Sequence, residues 1–297
     1  MKKNILRAFL LCIFLLYFVG CASGVRQEEN RISVSILPIK YWIDEISGGD
    51  FEVTVVVPSG ASPETYEPTP TQMKEVSRSY GYIQIGLIDF EQPLVRGIKE
   101  NNPELSILTL SDGMELLEGV CGHVHASGSH HHHGTDPHVW LSPVRSRQMV
   151  AAITEFLTGA RPDSAMKYLN NQKTLLLRID SLDRSIREAF NALHNRTVLI
   201  YHPFLTYYCD DYNLTQLPVE QEGKEPSVSQ LKKLVSYVKE EALEMIFYQD
   251  QLHFQTVEAL IHETGIRAVS VDPLAYDWLE NLYFITAQIA RHNADEQ

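Results

Sequence analysis

Two histidines and two carboxylates stand in short polar turns where the sequence could assemble a metal site. His138 and His202 each adjoin a proline, Asp272 precedes another, and Glu64 lies in a glycine- and proline-rich segment, residues 58–68. Imidazole and carboxylate groups suit zinc, manganese or iron, and a closed set of four such ligands suits binding without catalysis. Each residue alone is a weak signal, because a lone histidine usually belongs to the core or the surface. Taken together, the four predict a metal site.

A second group of histidines lies in a low-complexity segment, residues 119–135, which consists largely of glycine, serine and histidine and has no apolar periodicity. Imidazoles on such a loop would gather zinc loosely and raise its local concentration. A solvated linker without a binding role is the alternative interpretation. The six histidines are His123, His125, His130, His131, His132 and His133.

Short apolar runs alternate with helical patterns in two parts of the chain, which predicts an α/β fold with a parallel sheet flanked by helices in each of two lobes. Ligands of such sheets collect beyond the carboxyl ends of the strands, so loops from both lobes are expected to converge on one cleft. The predicted strands are residues 32–37, 51–57, 80–86 and 105–110 in the first part, and 197–201, 215–219, 245–248 and 267–271 in the second.

The stretch between the two parts contains neither proline nor glycine over residues 163–193, and its apolar residues recur at helical spacing. We therefore predict one long helix that joins the lobes. The expected organisation is an N-terminal lobe over residues 32–160, a linking helix over 161–194 and a C-terminal lobe over 195–297.

The first twenty residues resemble a secretory signal peptide, because a basic start precedes an apolar run too short to span a bilayer. The run ends at Cys21 in a pattern similar to a bacterial lipobox, although Phe18 stands where leucine is preferred. We expect Cys21 to be lipidated and residues 21–31 to form a tether. The protein would then be extracytoplasmic and attached to a bacterial membrane, in the periplasm or at the cell surface. An ordinary signal peptide with a chance cysteine is the alternative.

The protein is acidic, with a formal net charge of −13 that becomes −16 when the three basic residues of the leader are removed. Such a surface argues against nucleic-acid binding and suits a carrier of cations. We expect a monomer as the default state. Cys121 and Cys209 could pair in an oxidising compartment, but two cysteines do not make a disulfide framework, and the pairing is left open.

The chain resembles the solute-binding lipoproteins of zinc and manganese ABC transporters from about residue 32 to its C-terminus. The resemblance rests on residues 60–70, 136–143, 222–227 and 272–274. It implies two α/β lobes joined by a long helix, with a metal ion held between the lobes and delivered to an ABC permease. His138, His202 and Asp272 take three of the family's ligand positions. Glu64 stands where most members have histidine, and it is our fourth ligand; a water molecule in its place is the alternative.

The identity of the metal and the function both have rival interpretations. Carboxylate ligands favour harder ions such as manganese, whereas the histidine-rich segment is similar to that of zinc-type members, and we favour zinc. The alternatives to a non-enzymatic binding protein are a secreted zinc-dependent hydrolase, in which Glu64 would serve as the base, and an adhesin-like surface protein. The zinc-protease helix motif is absent at His262, because Ile266 occupies the position of its second histidine.

Overall fold

Two four-stranded sheets organise the computed structural model, which describes residues 28–119, 134–220, 224–249 and 254–291. All the strand pairings in both sheets are parallel. The strand orders, β2-β1-β3-β4 and β6-β5-β7-β8, are equivalent in the two lobes. The predicted fold class is confirmed. The strands are β1 (Glu28–Val34), β2 (Glu52–Val55), β3 (Ser79–Gln84), β4 (Ser106–Thr109), β5 (Thr197–Ile200), β6 (Thr215–Pro218), β7 (Met245–Tyr248) and β8 (Arg267–Ser270).

Helices connect the strands and cover the sheets, as parallel pairing requires. A 3₁₀ turn (Val139–Leu141) precedes the fourth helix and another (Pro162–Ser164) precedes the fifth. The α-helices within the described residues are α1 (Leu37–Ser47), α2 (Pro70–Arg78), α3 (Glu91–Asn101), α4 (Pro143–Ala160), α5 (Ala165–Phe190), α6 (Thr206–Asp211), α7 (Val228–Glu240), α8 (Phe254–Thr264) and α9 (Trp278–Arg291).

The long helix α5 is the mechanical link between the lobes. Its 26 residues make it about 39 Å long. The helix packs against α1 and α4 of the N-terminal lobe and against α9 of the C-terminal lobe. Its buried side chains recur every three to seven residues along one face, which is the pattern that predicted the helix. They are Tyr168, Leu175, Ile179, Leu182, Ile186 and Phe190.

One hydrophobic core runs through both lobes instead of stopping at the boundary between them. It includes buried residues of the first sheet, of α5, and of α6 and α9 in the C-terminal lobe. Three tryptophans meet in this core: Trp278 lies edge-on to Trp42 at a centroid distance of 5.4 Å, and its indole N–H donates to the carbonyl of Trp140 at 2.7 Å. A smaller cluster lies wholly in the C-terminal lobe and includes Leu199, Val238 and Ile246. The shared core makes the joint between the lobes stiff.

Polar contacts also fasten the lobes together. Arg145, near the start of α4, forms ion pairs with Asp211 at 2.6 Å and Asp210 at 3.2 Å, both at the end of α6. Its guanidinium lies 4.8 Å from the ring centroid of Tyr207. The Ser142 hydroxyl caps α4 by accepting from the Arg145 N–H, and it also donates to Asp211. These contacts fix the first turn of α4 against α6.

The structure differs from the sequence prediction at some boundaries. β1 begins at Glu28, inside the segment assigned to the tether, and the short helix α6 was not predicted. Among the described residues, no helix has the length and apolar character needed to cross a membrane. Cys209 is buried in α6. The signal peptide, Cys21, Cys121 and the six clustered histidines lie outside the described residues.

The contacts of Trp278 make a prediction about stability. Trp278→Ala should lower the free energy of unfolding by about 3–5 kcal/mol, because it removes a large side chain from the shared core. Trp278→Phe should cost less, about 1–3 kcal/mol, since it keeps the packing but leaves the Trp140 carbonyl without its donor. Urea unfolding of both variants, beside the exposed-site control Phe284→Ala on the same helix, measures these differences. Equal costs for Trp278→Ala and the control would contradict the prediction.

Candidate metal centre

Three of the four predicted ligands meet in one cluster between the lobes. One donor atom each of Glu64, His138 and His202 lies within 4.8 Å of the other two. Both imidazoles point their Nε2 atoms at the same carboxylate oxygen, Oε1 of Glu64, at 3.0 Å each. The two rings lie 5.4 Å apart between centroids, at an interplanar angle of 69°. This arrangement gathers two nitrogens and one oxygen around a single point.

Glu64 belongs to the loop that follows β2, and neighbouring contacts fix its carboxylate. Ser62 donates its hydroxyl to Glu64 Oε2 at 2.5 Å. Two residues after Glu64, the Tyr66 hydroxyl bonds to Gln72, and its ring packs edge-on against Phe90 at a centroid distance of 6.0 Å. Gln72 in turn donates to the carbonyl of Val56, the residue that follows β2. The loop is therefore tied at both of its ends to the first lobe.

His138 precedes a 3₁₀ turn and is 3% exposed. Its backbone N–H and its Nδ1 both contact Asp136 Oδ1, at 2.8 and 3.0 Å. The other carboxylate oxygen of Asp136 accepts a hydrogen bond from the Thr206 hydroxyl at 2.6 Å. Because Thr206 begins α6, the position of His138 is linked to the C-terminal lobe.

His202 comes directly after β5 and its neighbour Tyr201, at the carboxyl end of the second sheet. The parallel pairing of β5 with β6 continues beyond the strands, where the N–H of Glu220 donates to the carbonyl of Tyr201 at 3.0 Å. This register places Glu220 Oε1 3.2 Å from His202 Nδ1. The sheet therefore sets both the histidine and its acidic neighbour.

Asp272, the fourth predicted ligand, follows β8 but is not part of the three-residue cluster. The side chain is half-buried, and its Oδ1 accepts a hydrogen bond from the N–H of Leu274 at 2.8 Å. The next residue, Pro273, accepts from the indole N–H of Trp140 at 2.9 Å. The Asp272 loop is thus held against the segment that carries His138.

Two opposing effects set the pKa values of the cluster. Burial disfavours the charged form of each group, and close partners of opposite charge favour it. Burial alone would lower the pKa of His202, but hydrogen bonds to Glu220 and Glu64 outweigh it and raise that pKa to about 10. Burial also opposes the charged form of His138, yet attraction to Asp136 and a hydrogen bond with it raise the pKa. The same imidazoles hold the pKa of Glu64 below its usual range despite its burial. Burial raises the pKa of Asp272.

Asp136 and Glu220 contact the two histidines but are not among the residues predicted from the sequence. Asp136 lies two residues before His138 in the segment 136–143. This closeness in sequence is the signal from which a contact between the two could have been predicted. Glu220 lies two residues beyond the end of β6, and the rule that functional groups collect after parallel strands would have included it. Its pairing with His202, however, depends on the neighbouring positions of β5 and β6 in the sheet.

A cavity of about 450 Å³ adjoins the cluster on the side of the N-terminal lobe. Its walls include Tyr66, Met73, Phe90 and Leu94, and Glu64 lies at one side of it. The aromatic residues that brace the Glu64 loop therefore also form a surface beside the candidate metal centre.

Comparison with known proteins identifies the family. The model of the ZnuA family, described as the periplasmic component A of the zinc-uptake complex, matches residues 32–295. The chain belongs to the ZnuA family. The family resemblance noted in the sequence is therefore confirmed over nearly all of the predicted range.

Individual relatives of this ZnuA-family chain are similar to it at modest identity. The zinc-binding lipoprotein AdcA of Streptococcus pneumoniae R6 is 26% identical over 288 residues, which cover 92% of this chain and 56% of AdcA. The chain thus spans little more than half the length of that relative. A crystal structure of ZnuA is 34% identical, with a TM-score of 0.81, and the match covers 89% of this chain and 99% of that one. A zinc-bound deletion mutant of ZnuA, at 33% identity, also has a TM-score of 0.81 and covers 90% and 99%.

The raised pKa of His202 predicts how the stability of the metal-free protein depends on pH. The imidazole holds its proton more tightly in the folded state, with a pKa of about 10, than in the unfolded chain, where it is about 6.5. Its contribution is therefore full below about pH 6.5 and is lost as the pH rises toward 10. Thermal unfolding of chelator-treated protein over this range should show a falling midpoint. In His202→Asn the fall should be smaller, and equal slopes in the two proteins would contradict the assignment.

Proposed function

We propose that the protein captures a zinc ion outside the cytoplasm and delivers it to an ABC permease. The observation that carries the proposal is the convergence of two imidazole nitrogens and a carboxylate oxygen from both lobes on one point. Membership of a zinc-uptake family supports zinc as the cargo, and so do the zinc-binding names of the relatives.

The distances in the cluster suit a zinc ion. Tetrahedral zinc binds nitrogen and oxygen at about 2.0–2.1 Å, which separates neighbouring ligand atoms by about 3.3 Å. The two contacts of 3.0 Å between the imidazoles and Glu64 are close to that separation. An ion would replace these two contacts, and each Nε2 atom would move away from Oε1 by only a few tenths of an ångström.

Asp272 is the fourth ligand in this proposal. It would have to release the Leu274 N–H and turn its carboxylate toward the cluster. The contact between Pro273 and Trp140 supports this role, because it keeps the Asp272 loop beside His138. A closed shell of two imidazoles and two carboxylates would hold the ion without leaving a position for substrate, as binding without catalysis requires.

Zinc is favoured over manganese, which is the alternative cargo. Manganese prefers oxygen-rich ligand sets, whereas two imidazole nitrogens already point at one place in the cluster, that of buried His138 and that of partly buried His202. We propose that the histidines of residues 123–133 gather zinc as an accessory site. The same proposal assigns lipidation to Cys21, which would hold the monomeric protein on the membrane near its permease.

A hydrolase is less consistent with the cluster. A zinc hydrolase needs an open coordination position for water and a free base beside it. The only carboxylate in the three-residue group of the described chain is Glu64, and its contacts with both imidazoles and Ser62 support the proposed role of ligand over that of base. None of the relatives named above is described as an enzyme.

Metal content under native conditions tests the proposal directly. Chelator-stripped protein is equilibrated with equal concentrations of zinc and manganese and analysed by native mass spectrometry, with and without residues 122–133. We expect one tightly held zinc ion in both proteins, since the cluster lies outside the deleted segment. Loss of all bound metal on deletion would show that the histidine-rich segment is the binding site and would overturn the proposal.

Substitution of Glu64 tests the unusual ligand. Glu64→Ala should weaken zinc binding by more than about 100-fold, beyond the range typical of residues that only support a ligand. Glu64→His should restore zinc binding and reduce any manganese binding, because it replaces an oxygen with a nitrogen. Competition with a fluorescent chelator measures both, and Glu67→Ala in the same loop is the matched control. An unchanged zinc affinity in Glu64→Ala would remove Glu64 from the ligand set.

A further inference from the structure

Each imidazole of the cluster has a second carboxylate on the ring edge that faces away from Glu64. Asp136 lies 3.0 Å from Nδ1 of His138, and Glu220 lies 3.2 Å from Nδ1 of His202. Both acids are buried, with exposures of 4% and 8%. Neither belongs to the three-residue group. Both lobes therefore contribute the same pairing of a buried acid with a histidine.

The two acids are held by different elements. Asp136 is fixed by the backbone N–H of His138, by the Thr206 hydroxyl, and by the Tyr207 hydroxyl, which donates to its carbonyl at 2.9 Å. Glu220 is fixed by its backbone, which extends the pairing of β5 and β6 to the carbonyl of Tyr201. Sheet register therefore fixes the backbone of Glu220 beside His202, within reach of its Nδ1.

We propose that Glu220 and Asp136 are positioning residues that direct the Nε2 atoms of His202 and His138 toward the metal. This inference rests on the proposed function of the cluster. A neutral imidazole carries one hydrogen, on either Nδ1 or Nε2. The hydrogen-bond partner of one nitrogen decides which of the two is protonated. A carboxylate at Nδ1 retains the hydrogen there, and the lone pair of Nε2 is then directed at the cluster.

The carboxylates also fix the orientation of the rings. The torsion that turns an imidazole about its bond to Cβ has broad minima, so packing alone defines the ring plane poorly. A hydrogen bond at Nδ1 removes that freedom and keeps the two Nε2 atoms converged on the Glu64 oxygen. Glu220 matters more for this purpose, because His202 is 15% exposed at its side chain, whereas His138 is 3% exposed and held by surrounding groups.

Two other roles for Glu220 are distinct and can be separated by experiment. As a metal ligand it would have to reach the Nε2 side of the ring, but its Oε1 lies against Nδ1. As a purely structural ion pair it would affect stability and leave the coordination of the metal unchanged. The positioning role instead predicts weaker binding with an unchanged set of ligand atoms.

The test uses the full protein with Glu220→Ala, Glu220→Gln and the control Glu258→Ala, which removes one exposed negative charge from the same lobe. We expect zinc affinity, measured by chelator competition, to fall about 10- to 100-fold in Glu220→Ala. Glu220→Gln should recover most of the affinity, because its amide oxygen still accepts from Nδ1–H. The control should bind as the wild type does. Equal affinity in Glu220→Ala and wild type would overturn the inference.

Nitrogen-15 spectra of the histidine rings provide a second readout. Zinc-loaded wild type should show His202 with its hydrogen on Nδ1, protected from exchange by Glu220. In Glu220→Ala that proton should exchange rapidly, while the His138 signal, supported by Asp136, should persist. Asp136→Asn is expected to perturb the His138 signal and to leave His202 unchanged. A His202 proton that remains protected in Glu220→Ala would contradict the positioning role.

Cadmium-113 spectra distinguish positioning from ligation. The chemical shift of bound cadmium should stay close to that of wild type in Glu220→Ala, because the ligand atoms are the same. A shift that indicates the loss of an oxygen ligand would make Glu220 a ligand and overturn the inference. A wild-type protein that retains no ion at the cluster would overturn the proposed function itself, whereas normal wild-type binding with unaffected variants overturns only the positioning role.

Discussion

The shared contact of Glu64 with two imidazoles is the interaction on which the arrangement depends. One oxygen of this carboxylate lies 3.0 Å from nitrogen atoms that belong to different lobes. Such a contact survives only when the lobes keep their relative position to within a fraction of an ångström. The continuous hydrophobic core, the long helix α5 and the ion pairs of Arg145 supply that constancy. The rigid joint between the lobes is therefore a condition for the site and not a separate feature.

The equivalent strand orders of the two lobes explain why loops of both can meet. In each sheet the first strand lies inside, with its neighbours added on both sides. Because all the pairings are parallel, the carboxyl ends of the four strands lie at one edge of the sheet. Glu64 and His202 follow strands of opposite sheets, and Asp272 follows the last strand of the second one. His138 lies on the longer connection after β4. Its position close to Glu64 and His202 depends on the 3₁₀ turn that follows it and on its contact with Asp136.

The concentration of acidic groups around two histidines has an electrostatic consequence. Asp136, Glu64 and Glu220 are all at least partly buried, and buried charge is costly unless it is paired and hydrogen-bonded. In the metal-free protein the imidazoles supply the pairing, and this is why the pKa of His202 rises to about 10. In the metal-bound protein, a divalent cation would supply the positive charge that pairs with these carboxylates. The surplus of carboxylates thus makes the interlobe space a favourable place for positive charge.

The sequence by itself determined most of the helices and strands and the residue types of the candidate ligands. The β-branched run at residues 51–57 predicted β2, the apolar spacing along residues 163–193 predicted α5, and the proline-flanked histidines marked the site. These signals are local, because side-chain periodicity and turn chemistry are written within a few residues. The helix α6 was not predicted, because its six residues are too few to show a helical period.

Only the tertiary structure decided which of the marked residues meet. It brought Glu64, His138 and His202 together, left the Asp272 carboxylate on its own loop, and paired Glu220 with His202. The pairing of Glu220 with His202 depends on which strands are neighbours in the sheet and on their register. No short stretch of sequence indicates either of these. Strand order is settled by the burial of both faces of each sheet and by packing against α5, which are properties of the whole chain.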